Sequence, residues 1–176
     1  LLKLLKRELL PKGTLKGDIH FYGQTIEQVD EQQLVEQIAI VMQDPDYQIV
    51  FDDTMQEFVF ALENIGMSSQ EMKKRIAELV HYFSAQLLLE QKPSLMSGGQ
   101  KQTVNLLSAL LLKPKLLLLD EPTAQLDPIA AKKFVSMLKQ LNEETGMTII
   151  MVEHQTEQLF EVADKMVLLE RGEVMH

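Results

Sequence analysis

Leu116 to Asp127 reads LLLLDEPTAQLD: four leucines, two carboxylates, a proline, and a short polar run that closes on a third carboxylate. A short apolar run without alternation is the pattern of a strand buried on both faces of a parallel sheet. The polar residues then stand just past the carboxyl end of that strand, where open α/β sheets bind their ligands. Two adjacent acids at this edge suit a metal–nucleotide site. Asp120 is placed to hold a Mg²⁺, directly or through water, and Glu121 to polarise an attacking water. Taken alone, the same dipeptide also serves any buried strand that enters a turn, so its neighbours decide.

Upstream stands Ser97-Gly98-Gly99-Gln100. A serine caps a helix, the glycines let backbone approach a ligand, and the N-terminus of the helix that follows to Leu112 attracts an anion. Downstream, Asp127-Pro128 combines an N-cap with a first-turn proline and opens another helix. A second apolar run, Met147 to Val152, ends in Glu153-His154, and a third buried strand, Ile38 to Met42, ends in Gln43. Each of these has an ordinary structural reading as a cap or a loop residue. Their order along one chain is the informative part.

The remainder of the chain reads as scaffold. Leu1 to Leu10 has the pattern of an amphipathic helix stopped by Pro11 and Gly13, although no capping residue precedes it. Gly17 to Gly23 alternates like an exposed strand running into a turn. Ser68-Ser69-Gln70-Glu71 is a capping box, with Met72, Ile76, Leu79, Val80 and Phe83 on the buried stripe of its helix. Phe58, Leu62 and Ile65 share one face of a helix beginning near Thr54. Leu159 to Ala163 is expected as a helix, and Lys165 to Leu169 as a strand before a turn at Glu170 to Glu173.

A chain of 176 residues, 45% hydrophobic and 24% charged, has room for one domain with an inserted lobe. A net charge of −9 without a basic stripe argues against nucleic acid as a main partner. The absence of cysteine excludes disulfides and cysteine catalysis. The most apolar stretch, Val104 to Leu119, is interrupted by Lys113-Pro114-Lys115 and neither half spans a bilayer.

Taken together, LMSGGQ, LLLLDEP, AQLD and His154 resemble the signature motif, Walker B strand, D-loop and switch histidine of the ATP-binding cassette (ABC) ATPases, and the resemblance covers nearly the whole chain. It implies an α/β fold: a P-loop NTPase-like core with a mostly parallel sheet at 1–53 and 113–176, and an inserted helical subdomain with the signature at 54–112. It implies ATP and Mg²⁺ as cofactors. Glu121, His154 and Gln43 become catalytic candidates, with Asp120 and Gln43 at the metal. Ser97, Gly98, Gly99, Gln100 and Asp127 become nucleotide-binding candidates acting across a dimer with a second ABC ATPase domain. The family's phosphate loop, G-x-x-x-x-G-K-[ST], is not among these residues. The expectation is an excerpt beginning just past that loop, inactive on its own, from an intact ATPase. Two departures stand in the signature helix, Met96 where Leu is usual and Thr103 where Arg is usual.

Gln43-Asp44-Pro45-Asp46-Tyr47-Gln48-Ile49-Val50 and Thr54 to Asn64 are similar to the energy-coupling-factor (ECF) branch, with Asp44, Gln56-Glu57 and Ala61 as departures. That branch implies uptake of a vitamin or metal ion through a transmembrane coupling protein and a substrate-binding membrane component, with the ATPase on the cytoplasmic face of the membrane. The Gln43 to Phe60 region, apolar at Tyr47, Ile49, Val50 and Phe51, is then the docking surface. Leu126 to Ala131 resembles ATPases associated with thiamine or its pyrimidine precursor. Two alternatives stay open: a non-transport ABC ATPase, and a degenerate cassette that only completes a partner's site.

Overall fold

A computed structural model describes residues 1–176 except Gln155, Gln158 and His176. Its elements run β1 (His20–Phe21), β2 (Gln24–Thr25), α1 (Glu31–Gln37), β3 (Ile38–Val41), α2 (Thr54–Glu63), α3 (Ser69–Tyr82), α4 (Gly98–Leu111), β4 (Leu116–Asp120), α5 (Pro128–Thr145), β5 (Thr148–Val152), β6 (Leu169–Glu170) and β7 (Glu173–Val174), with short 3₁₀ turns between. The leucine run is the middle strand of a three-stranded sheet in the order β3-β4-β5, parallel on both sides. Leu117, Leu118 and Leu119 are fully buried. Alternation sends Leu117 and Leu119 into a cluster with α4 and α5, through Leu106, Leu110, Phe134 and Leu138. Leu118 faces the other way, toward Leu2, Ile26, Val29 and Leu34. A strand covered on both faces has no polar side to show, which is why its sequence does not alternate.

A third apolar cluster joins α2, α3 and α4 through Phe58, Leu62, Met72, Ile76, Val80, Val104, Leu107 and Leu111. Helix α4 thus gives Leu106, Ala109 and Leu110 to the sheet and Val104, Leu107 and Leu111 to the helical lobe. Leu79 and Phe83 touch both clusters, and the Tyr82 hydroxyl donates to the Glu144 carboxylate, tying the end of α3 to α5. Ser68 caps α3 with both arms of a capping box.

Four segments differ from the sequence reading. Leu1–Leu10 is two 3₁₀ turns, Leu2–Leu5 and Arg7–Leu9, with Lys6 extended between them. The Lys6 ammonium is drawn inward to the carbonyl of Ile38 at 2.7 Å, and burial lowers its pKa. Leu2 is buried in the cluster beneath Leu118, so tertiary contacts fix this segment at both points. Gly17–Gly23 narrows to the two residues of β1, paired to β2 across Tyr22-Gly23, both at positive φ as a tight hairpin turn requires. Near the C-terminus, Leu159–Val162 forms turns rather than a helix, since Phe160 stays exposed and offers no packing to stabilise one. Likewise 165–168 is not strand, and only Leu169–Glu170 pairs, with Glu173–Val174. Among the described residues, no helix is long and apolar enough to cross a membrane.

Candidate functional site

Parallel pairing brings the ends of β3, β4 and β5 to one edge, and with them Gln43, Asp120, Glu121 and His154. Glu121 is the centre. Its backbone N–H extends the β4–β5 ladder to the Val152 carbonyl at 2.9 Å, while its φ of 45° turns the chain sharply away from the strand. That left-handed conformation costs a non-glycine residue ~1–3 kcal/mol, and a residue before proline ordinarily stays extended. The carboxylate is gripped from two sides: the Gln43 amide donates to Oε2 at 2.7 Å, and His154 Nε2 lies 2.8 Å from Oε1. The Glu121 side chain keeps 21% of its surface and that of His154 81%, so the pair opens to solvent. The three catalytic candidates therefore meet around one carboxylate, 78 residues apart in the case of Gln43 and Glu121.

Asp120 closes β4 beside Val152, partly buried. Among the described residues no three or more His, Asp or Glu side chains assemble into a metal-holding group. The Gln43 nitrogen is committed to Glu121, which leaves the oxygen as the atom of that amide able to face a cation. One carboxylate and one amide oxygen suit a Mg²⁺ that takes its other ligands from water and phosphate.

Ser97, Gly98, Gly99, Gln100 and Asp127 assemble separately. They line a cleft of about 570 Å³ with Gln125, Leu126 and residues of α5. Ser97 Oγ accepts from the Gln100 N–H at 3.3 Å and the Gln100 side chain accepts from the Ser97 N–H at 2.9 Å, a second capping box. The N–H groups of Gly98 and Gly99 belong to the helix start, where no intrahelical acceptor exists. A Cβ on Gly98 meets the Gln125 amide oxygen at 3.3 Å, and one on Gly99 meets Leu126 Cδ2 at 3.2 Å. The 123–126 turn therefore passes close to both glycines, with the ends of the Gln125 and Leu126 side chains as the nearest atoms. Asp127 Oδ1 accepts from the Ile129 and Ala130 N–H groups, both at 3.0 Å, and caps α5.

Several residues at this edge have roles that the sequence did not reveal. Glu153 Oε1 accepts from the Thr123 N–H at 2.9 Å and hydroxyl at 2.6 Å, anchoring the turn that links the two groups of candidates. Gln48 accepts from the Met42 N–H and donates to the Ile40 carbonyl, finishing the free edge of β3. Glu57, 6% exposed, accepts from the N–H groups of Val50 and Phe51. Around them Tyr47 and Val50 remain 85% and 68% exposed, while Phe51 packs edge-on against Phe60. A separate cleft of about 460 Å³ near Gln37 and Lys115, which precede β3 and β4, takes none of the candidates.

The ABC transporter family profile matches residues 1–124. A putative ABC transporter ATP-binding protein of Bacillus cereus is 47% identical over 176 residues, all of this chain and 32% of its own length. One of Pyrococcus abyssi is 37% identical over 163 residues, 93% of this chain and 58% of its own. The chain therefore spans about a third of the length of the Bacillus relative. Among solved structures, cbiO1 from Clostridium perfringens, part of the ABC transporter complex cbiONQ, has a TM-score of 0.83 at 30% identity, covering 92% of this chain and 65% of its own. A dimeric ATP-binding cassette in a post-hydrolysis state with ADP and Pi has a TM-score of 0.74 at 26% identity, covering 92% and 72%. By its motifs, its fold and these similarities, the chain belongs to the ABC transporter ATP-binding proteins.

Proposed function

We propose that the natural gene product containing these residues is the ATP-hydrolysing subunit of an ECF-type importer that takes up a vitamin or a metal ion. The observation that carries the chemistry is Glu121 held between Gln43 and His154 at the carboxyl edge of the sheet. A carboxylate with both oxygens oriented is prepared to take a proton from an attacking water. His154, largely exposed, lends a ring N–H toward the γ-phosphate side. Asp120 and the Gln43 amide oxygen would hold Mg²⁺, which would neutralise phosphate charge.

The Ser97–Gln100 cleft, with Asp127 at its far side, receives the γ-phosphate of ATP bound by a second cassette, so that two subunits complete two sites. Residues 54–112 form the helical subdomain and 1–53 with 113–176 the core, a division supported by a helical cluster whose buried residues all fall in 54–112, with α4 shared between that cluster and the sheet. Exposed Tyr47 and Val50 mark the surface that meets the transmembrane coupling protein on the cytoplasmic face of the membrane. The likeness to cbiO1 and the Pro45-Asp46-Tyr47-Gln48-Ile49-Val50 run support the ECF branch. The Leu126–Ala131 run makes thiamine and its pyrimidine precursor the first substrates to test.

Glu121→Gln keeps the shape of the side chain and removes the base. ATP binding is expected to persist while turnover falls by about 10²–10⁴-fold. Steady hydrolysis by that variant overturns the assignment.

A further inference from the structure

Gln102, in the second turn of α4, is 2% exposed, and only half of its amide is used. Nε2 donates to the carbonyl of Met42 at 3.3 Å, whereas Oε1 is buried without a partner. An orphaned amide oxygen destabilises a fold, and an apolar side chain of the same length holds the helix at least as well. Stability therefore does not explain this glutamine.

What the side chain touches does. Met42 immediately precedes Gln43, whose amide reaches Glu121 at 2.7 Å. Two neighbours on α4 hold the same stretch from its other end. Lys101 Nζ meets Asp46 Oδ1 at 2.6 Å, and the buried Asn105 donates to the Pro45 carbonyl at 3.2 Å. Positions 101, 102 and 105 lie on adjoining turns of one helix side, and their contacts fall on Met42, Pro45 and Asp46, on either side of Gln43. Gln48 ties the same loop to itself by accepting from the Met42 N–H at 3.0 Å; the three α4 side chains tie it to the helix, and the exposed Gln43 reaches Glu121 from it.

We propose that Gln102, backed by Lys101 and Asn105, is a positioning residue that sets Gln43 against Glu121. Helix α4 begins with the Ser97–Gln100 cleft, so the same helix that lines the cleft fixes the reach of the amide that orients the carboxylate. The inference rests on the reading of Glu121 and Gln43 given above, and it predicts an effect on turnover separable from stability and from ATP affinity.

The test uses the natural gene product with Gln102→Met, which keeps length and discards the amide. The melting temperature is expected to hold or rise, kcat to fall about tenfold, and KM for ATP to stay within about twofold. Asn105→Ala, a smaller change in the same grip, is expected to lower kcat about threefold, and decides the matter if the first variant does not fold. A kcat within twofold of the unsubstituted protein in both variants overturns the proposal, as does a loss of kcat that merely follows a lowered melting temperature. Glu121→Gln is measured alongside. If that variant still turns over, the reading of Glu121 fails and the positioning role with it; if it is dead while Gln102→Met is normal, the positioning role alone fails.

Discussion

Glu121 and Gly99 flank the same short turn, Pro122–Leu126, but their surroundings are prepared in opposite ways. Around Glu121 the chain supplies its own partners: an amide for one oxygen, an imidazole for the other, a strand carbonyl for the N–H. Around Gly99 the chain leaves room, a cleft of about 570 Å³ rimmed by a capped helix start whose first N–H groups have nothing to bond within the helix. The first arrangement is preorganised, and the backbone strain at Glu121 is stored in it. The second is half of a site and waits for an anion carried on another surface. Reaction chemistry is placed where geometry must not vary, and recognition where two bodies have to close on each other.

Removing one of the holding groups is the strongest way to break that contrast. His154→Ala frees Oε1 of Glu121, and turnover in the natural gene product should fall by about 10²-fold. Because His154 is largely exposed, the unfolding free energy should move by no more than about 0.5 kcal/mol; a steady-state ATPase assay and a denaturant melt check both halves. A weaker loss, below about threefold, means that the preorganisation is incidental.

The waiting cleft is tested by mixing. Gly99→Asp suits the first turn of α4 but places a carboxylate where an anion is to sit, so the variant should be inactive alone. Mixed with Glu121→Gln, it should regain about a quarter of full turnover if each site takes its cleft from one subunit and its base from the other. Absence of any recovery, with dimers present by light scattering, returns the cleft to a role within its own chain.

The smallest effect concerns the scaffold beneath both regions. Hydrogen bonds from the Ser68 and Tyr82 hydroxyls hold the Glu71 and Glu144 carboxyls below their ordinary range. Folded-state values that are depressed contribute stability above the ordinary carboxylate pKa, about 4.3, and lose it as pH falls through the lowered values. Tyr82 is shifted upward, chiefly by its bond to Glu144. Its contribution is present below about pH 10 and disappears as pH climbs past that point. Tyr82→Phe should shrink the loss of denaturant midpoint above about pH 10, while leaving His154-dependent turnover intact.

How much of this was legible in the sequence depended on range. Ser68, Ser97 and Asp127 announce caps because capping is completed within three residues, and all three cap as read. The leucine run announces a doubly covered strand for the same reason. The meeting of Gln43, Glu121 and His154 was legible only through family resemblance, since no local rule joins positions 78 residues apart. Lys6 and Gln102 gave no signal, and Gln48 and Glu57 entered only as letters of a family resemblance, with no structural role attached. Each spends its polar group on a distant backbone atom, and a lone Lys, Gln or Glu in a sequence looks like a solvated surface. Helix α1 escaped notice because Leu34 is its single buried residue, too little for a periodic stripe.

Helix α4 completes two hydrophobic cores with two of its faces, and this decides how the molecule comes apart. An inserted lobe joined to its host only through loops is free to melt first and alone. Here the helical lobe closes on a helix whose opposite face is already committed to the leucine strand. Fraying the lobe exposes Val104, Leu107 and Leu111, and freeing α4 itself uncovers the sheet as well. The amides of Val104–Leu111 should therefore exchange with solvent only on global opening, making the two lobes one cooperative unit even though their apolar clusters are distinct.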